Sequence, residues 1–159
     1  YVICNKTMYD ALENMDTEGE VKIFLNAVER GSNPWGCTDY LNNKDKILNA
    51  GADVYEVMNE YAVHTKTVLI GDHLSIVGSY NFDMRSTYLD TELMLVIDSQ
   101  YLNAHIRDMI EGYEEKSVEV LSDGTRTQGL YYEQRELGKM KGLVYQVLRV
   151  IIQPFRHLL

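Results

Sequence analysis

His64-Thr65-Lys66-Thr67-Val68-Leu69-Ile70-Gly71-Asp72-His73-Leu74-Ser75-Ile76-Val77-Gly78-Ser79-Tyr80-Asn81 is the stretch that decides the fold of this chain. Two β-branched and leucine-rich runs, Thr67–Ile70 and Leu74–Val77, flank the turn formers Gly71-Asp72-His73. That pattern predicts two short buried strands, 63–70 and 74–80, joined by a turn. Side chains two apart on a strand share a face, so His64 goes with Lys66 and Ser79 with Asn81. If the strands pair through the turn, the two sets form one site.

An imidazole, an ammonium, a hydroxyl and a carboxamide in neighbouring strands make a phosphate-handling set. A neutral imidazole can attack phosphorus and divide one hard displacement into two easier ones. Charge on the equatorial oxygens then needs donors already in place, which Lys66, Ser79 and Asn81 supply. The sequence holds no His, Cys or carboxylate cluster at metal-ligand spacing, so neither metal nor cofactor is expected.

His64-x-Lys66 followed by Gly78-Ser79-x-Asn81 resembles the HKD signature of the phospholipase D superfamily. The wider run through Asn81-Phe82-Asp83-Met84-Arg85-Ser86 to Thr91-Glu92-Leu93 is similar to its bacterial cardiolipin synthase branch. The signature has an aspartate five residues after the lysine. Gly71 stands there in this chain, with Asp72 behind it, and the unchanged gap to Gly78 marks a substitution. Asp72 is expected to take over a hydrogen bond from the next position. The resemblance implies that Glu92, at the entry to the apolar run Leu93–Ile97, orients a catalytic histidine as the aspartate of a Ser-His-Asp triad does. Arg85 is a candidate for the phosphate or a lipid headgroup, with an ion pair to Asp83 or Asp90 as the other reading. The loop Gly31-Ser32-Asn33-Pro34-Trp35-Gly36-Cys37 holds the only tryptophan, and an Asn-Pro-aromatic-Gly loop recurs in the lipid-synthase branch, so Trp35 is a candidate for the substrate entrance. His73, His105 and His157 match nothing.

The resemblance further implies a phosphatidyltransferase acting on phospholipids through a phosphohistidine, associated with a bacterial cell membrane. The alternatives are a hydrolase or nuclease of the same superfamily, or a catalytically degenerate half that docks to a membrane. Such enzymes build one site from two motif copies, one histidine attacking and the other protonating the leaving oxygen. This sequence holds one copy and begins at Tyr1-Val2-Ile3-Cys4, within what reads as a strand. The expected partner is therefore a second HKD half, from a preceding region of a longer protein or from a homodimer mate.

The 159 residues, 45% hydrophobic, suffice for one well-buried core. The expected order is strand 1–4, helix 6–15, strand 20–25, helix 38–49, strand 53–58, the hairpin, strand 91–97 and helix 100–117. That alternation predicts an α/β fold, a phospholipase D-like domain with a mixed central β-sheet flanked by helices. The catalytic domain is expected over 1–120, a connecting segment including Ser122-Asp123-Gly124 over 121–136, and a basic amphipathic helix over 137–159. This last segment carries +4 and no acid, which leaves −13 on residues 1–136 of a chain whose total is −9. So acidic a body argues against a nucleic-acid partner. For the tail, an anionic membrane surface and a packing role against the other half are both open. Cys4 and Cys37 are too few and too far apart for a zinc site or a redox pair.

Overall fold

The computed structural model describes residues 2–16, 19–121 and 123–159. Tyr1, at the start of the first expected strand, and Ser122, in the connecting segment, lie outside the described residues. The chain is α/β, with mixed sheets flanked by helices. In order it forms β1 (Val2–Ile3), α1 (Lys6–Asp16), β2 (Lys22–Asn26), α2 (Pro34–Asn49), β3 (Asp53–Val57), β4 (Thr67–Ile70), β5 (Leu74–Gly78), β6 (Phe82–Asp83), α3 (Met84–Tyr88), β7 (Met94–Asp98), α4 (Gln100–Glu114), β8 (Ser117–Val120), β9 (Arg126–Gln128) and α5 (Lys139–Ile151), then a 3-10 helix over Gln153–Leu158.

The strands fall into three groups. β2-β3-β8-β9 make a four-stranded sheet, parallel between β2 and β3 and antiparallel beyond. β4-β5-β7 make an antiparallel sheet, and β1 pairs with β6 in parallel. The core lies between α2, β1 and β3, where Cys4, Ile47 and Val54 are wholly buried. A Val or Ile side chain so buried contributes about 1.5–3 kcal/mol.

Several boundaries differ from the sequence reading for local reasons. α2 begins at Pro34 because Asn33 caps it, its Oδ1 accepting from the N–H of Trp35 and of Gly36 at 3.0 and 3.3 Å. Proline at the first helical position has no N–H to lose, so the loop formers that delay the expected helix to 38 in fact start it. Residues 63–66 are not a strand. There the backbone of Val63 is held by a side chain, Asn26, in place of a neighbouring strand. The expected helix 100–117 stops at Glu114, and residues 117–120 turn back as β8 beside β3. β9 forms within 121–136 and pairs with β8.

The tail helix packs on this chain. Its inner face buries Tyr145 against α2, and Ile152, just beyond the helix, is buried as well. Lys141 Nζ reaches the carbonyl oxygens of Val28, Glu29 and Gly31 at 3.1–3.2 Å. Arg149 Nε donates to Asn42 Oδ1 at 2.7 Å. Arg156 binds the buried Asp39 through Nε and Nη2, and Nη2 also donates to the Cys4 carbonyl at 3.1 Å.

Candidate functional site

The site forms where the first hairpin opens. Ile70 faces Leu74 across the turn, and the ladder runs back until the Gly78 N–H donates to the Lys66 carbonyl at 3.2 Å. This register sets the His64–Lys66 segment beside Gly78 and Ser79. Gly78 admits no side chain, because a Cβ there would collide with the Leu93 carbonyl and lie 2.9 Å from Met94 Cα. That close approach brings β7, and Glu92 just before it, against Ser79. The Ser79 N–H donates to the Leu93 carbonyl at 3.0 Å, and Ser79 Oγ accepts from the Leu93 N–H at 3.0 Å.

Within the site, Lys66 Nζ lies 2.9 Å from His64 Nδ1 and 3.2 Å from Nε2, and it donates to the His64 carbonyl at 3.0 Å. An ammonium can only donate, so the ring nitrogen it meets presents a lone pair. The Ser79 hydroxyl donates to Glu92 Oε2. Asn81 is placed through its backbone: its N–H donates to Ser86 Oγ at 3.2 Å and its carbonyl accepts from Asp83 N at 2.8 Å. Its carboxamide makes no hydrogen bond among the described residues, which leaves both ends of the group open to a ligand. Asp83 caps α3, Oδ1 accepting the Ser86 N–H at 2.7 Å, and so fixes where the Ser86 hydroxyl stands.

The electrostatics are those of one coupled cluster. Partial burial lowers the pKa of Lys66, opposed by the charges of Asp83 and Glu92. The bond from Ser79, then that from Ser86, and then the charge of Lys66 hold the Glu92 carboxyl below the usual range. Glu92 is therefore bound to the serines on its own side, while the described contacts of His64 run to Lys66. In this chain alone the two are not brought together as the orienting role would require.

The remaining candidates sit apart. Arg85 is held by Asp90, its Nε 3.0 Å from Oδ2 and 3.2 Å from Oδ1, the ion-pair reading of that residue. Trp35 stands partly exposed on the first turn of α2. Among the described residues Asp72 takes over no hydrogen bond for the motif aspartate. It is exposed at the turn, with His73 Nε2 3.6 Å from its Oδ1. Gly71 adopts φ +55°, a conformation glycine reaches without strain, and its carbonyl accepts from Arg107 on α4. That contact anchors the turn from the backbone and needs no carboxylate.

Asn26 and Ser86 carry no role in the sequence reading, and Asp83 enters it only as an alternative ion-pair partner of Arg85. Asn26 ends an apolar strand at the carboxyl edge of a parallel pair, the edge at which open α/β sheets present ligands, and that position is its signal. A small cavity of about 60 Å³ lies behind the His64 segment, lined in part by Asn26, Val63, Thr65 and Tyr40. A more open groove lies along β8 and β9, away from the motif. Among the described residues no three His, Cys, Asp or Glu side chains converge as a metal-binding group.

Residues 1–113 match the family model of the cardiolipin synthase PLD-like domain, and the chain belongs to that family, within the phospholipase D superfamily. It is similar to cardiolipin synthase A of Yersinia pseudotuberculosis serotype O:1b (strain IP 31758) and of Yersinia pestis bv. Antiqua (strain Angola). Each is 38% identical over 81 residues, which is 51% of this chain and 16% of the relative. A Helicobacter pylori (strain J99) protein is 26% identical over 123 residues, covering 61% of this chain and 24% of that one. The chain thus spans a minor part of the curated relatives it matches. In fold it is similar to a phospholipase D family member, Nuc from Salmonella typhimurium, with a TM-score of 0.58 at 16% identity over 81% of this chain and 78% of that one.

Proposed function

We propose that this chain supplies one half of a two-HKD active site that moves a phosphatidyl group between alcohols, or to water, through a phosphohistidine. The observation that carries this reading is the approach of Lys66 to His64 beside the Ser79–Glu92 pair, four groups drawn from the ends of β4, β5 and β7. His64 attacks phosphorus, forming an N–P bond as the bond to the leaving alcohol oxygen breaks. That oxygen takes a proton from the histidine of the second half. In the second step the acceptor hydroxyl gives its proton back to that histidine and displaces His64. Lys66 and Ser79, exchanging their present partners, and the open Asn81 carboxamide hold the phosphate oxygens. Glu92 meets the opposite histidine across the assembled site.

The sheet that carries the motif supports a composite site. Registers place Val68, Ile76 and Val96 side by side, and Val68 and Val96 are exposed. A second half packed there would cover apolar surface that this chain leaves open. Membership of the cardiolipin synthase PLD-like domain family supports a phospholipid as the substrate.

The test is turnover of a soluble phosphodiester by the 159-residue chain across a range of protein concentrations, and of a phospholipid by the assembled enzyme. The expected result is a negligible rate from the monomer and abolition of the assembled activity by His64→Ala, with no response to EDTA. Robust turnover by a demonstrated monomer would sink the half-site, and full activity of the alanine variant would remove His64 from the chemistry.

A further inference from the structure

Arg156 lies outside residues 1–113, which match the family model, and its side chain is nonetheless only 18% exposed. The Asp39 side chain that it meets is fully buried. An ion pair that merely held the tail would need only these two residues. Here Nε and Nη2 grip the two oxygens of the Asp39 carboxylate, and Nη2 also donates to the Cys4 carbonyl at 3.1 Å. A rigid planar fork holds both acceptors in one fixed geometry.

Both ends of this contact lead to the motif. Cys4 follows β1, whose Ile3 pairs with Asp83 of β6 in parallel register. Asp83 caps α3, its Oδ1 accepting the Ser86 N–H at 2.7 Å and its carbonyl accepting from the Thr87 hydroxyl at 2.6 Å. From the other side, the 3-10 helix that carries Arg156 packs on α3, and the Arg85 N–H donates to the Leu159 carbonyl at 2.6 Å. α3 is thus held at its cap through β1 and on its first turn through the terminal helix. One guanidinium joins the two holds.

α3 in turn places a group that the site uses. The Ser86 hydroxyl accepts the Asn81 N–H at 3.2 Å, and it donates to the Glu92 carboxylate, second to Ser79 in holding that carboxyl down. A helix of five residues has too few internal hydrogen bonds to fix its own position, so its flanks decide where Ser86 stands.

We infer that Arg156 is a positioning residue for the motif: it locks the terminal 3-10 helix and the end of β1 together around α3, and so fixes Ser86 against Asn81 and Glu92. Arg156 acts through α3 and not on the phosphate. That the groups it fixes serve phosphoryl transfer rests on the function proposed above; the coupling itself does not.

Carboxyl carbon and amide NMR of the 159-residue chain test the coupling apart from turnover. Asp39→Asn with Arg156→Met removes the lock without leaving a buried charge unpaired. Arg156→Lys keeps a cation beside Asp39, gives up the fork, and should melt near the wild-type temperature. Val118→Ala, at a buried site in β8, which packs on β3, β9 and α4, lowers stability away from α3. In both lock variants the Glu92 midpoint should rise toward its ordinary 4.5 without reaching it, because Ser86 is displaced while Ser79 and Lys66 stay. The Asn81 amide resonance should shift with it, and both changes should be smaller in Arg156→Lys. Val118→Ala should move neither. Unmoved Glu92 and Asn81 signals in whichever lock variant folds, or changes of equal size in Val118→Ala, would overturn the inference. In the assembled enzyme the double variant should lower kcat by about tenfold to a hundredfold, the scale on which a misplacement of about an ångström tells. Full kcat beside a shifted Glu92 would uphold the coupling and count against the roles given to Asn81 and Glu92 in the transfer.

Discussion

The Asn26 carboxamide takes both backbone groups of Val63, its Nδ2 donating to the Val63 carbonyl at 2.8 Å and its Oδ1 accepting the Val63 N–H at 2.7 Å. One side chain at the end of β2 thereby replaces the strand partner that residues 63–66 lack, and the next residue is His64. Asn26→Ala should cost about 1–3 kcal/mol in urea unfolding, two hydrogen bonds' worth. It should also lower kcat of the assembled enzyme more than it raises KM, since the histidine is displaced while the phosphate donors remain. A stability loss with unchanged kcat would show that the His64 segment holds its place without Asn26.

The hairpin and the gathering of the motif residues at its open end were legible because they rest on local pattern: alternation either side of a Gly-Asp turn, and fixed spacing from His64 to Asn81. The segment before the hairpin was not, because Val63 pairs with a side chain 37 residues away, and no periodicity records such a contact. α3 is a single capped turn, too short to show a period. The tail was half legible. Its composition announced an amphipathic basic helix, but Lys141 turns inward to three carbonyls and Val150 turns outward, an orientation set by α2. Glu92 shows a different limit: the spacing placed it correctly at the mouth of β7, while its partner in this chain is Ser79.

The tail is also tied down from within, through a charge pair. The Asp39 side chain is fully buried and that of Arg156 is 18% exposed, joined by two contacts, Nη2 to Oδ2 at 3.1 Å being one. Removing one partner of a buried pair leaves the other charge without compensation in a place it cannot be hydrated. Arg156→Met should therefore destabilise the chain by about 3–5 kcal/mol, whereas Asp39→Asn with Arg156→Met should cost distinctly less. Urea denaturation of the two variants decides it, and a single variant within about 1 kcal/mol of the wild type would show the pair to be incidental.

Ser79 and Glu92 give the site a pH signature of known sign. Ser79, first, and Ser86, second, donate to the ionised carboxylate, and Lys66 adds its charge, so Glu92 titrates below its ordinary value of 4.5. A carboxyl whose folded pKa is depressed contributes stability that is present above the unfolded value and lost as pH falls through the folded one. The contribution from Glu92 is therefore constant at neutral pH and disappears on the acid side of 4.5. In Ser79→Ala the largest cause is gone while Ser86 and Lys66 remain, so the Glu92 midpoint should move up toward 4.5 without reaching it. Carboxyl carbon NMR titration of the chain, wild type and variant, reads this directly. The same substitution removes the acceptor for the Leu93 N–H, loosening the entry to β7, so turnover of the assembled enzyme should fall at every pH and its acid limb should shift upward. An unmoved Glu92 midpoint would show that the Ser79 hydroxyl does not hold the Glu92 carboxyl down.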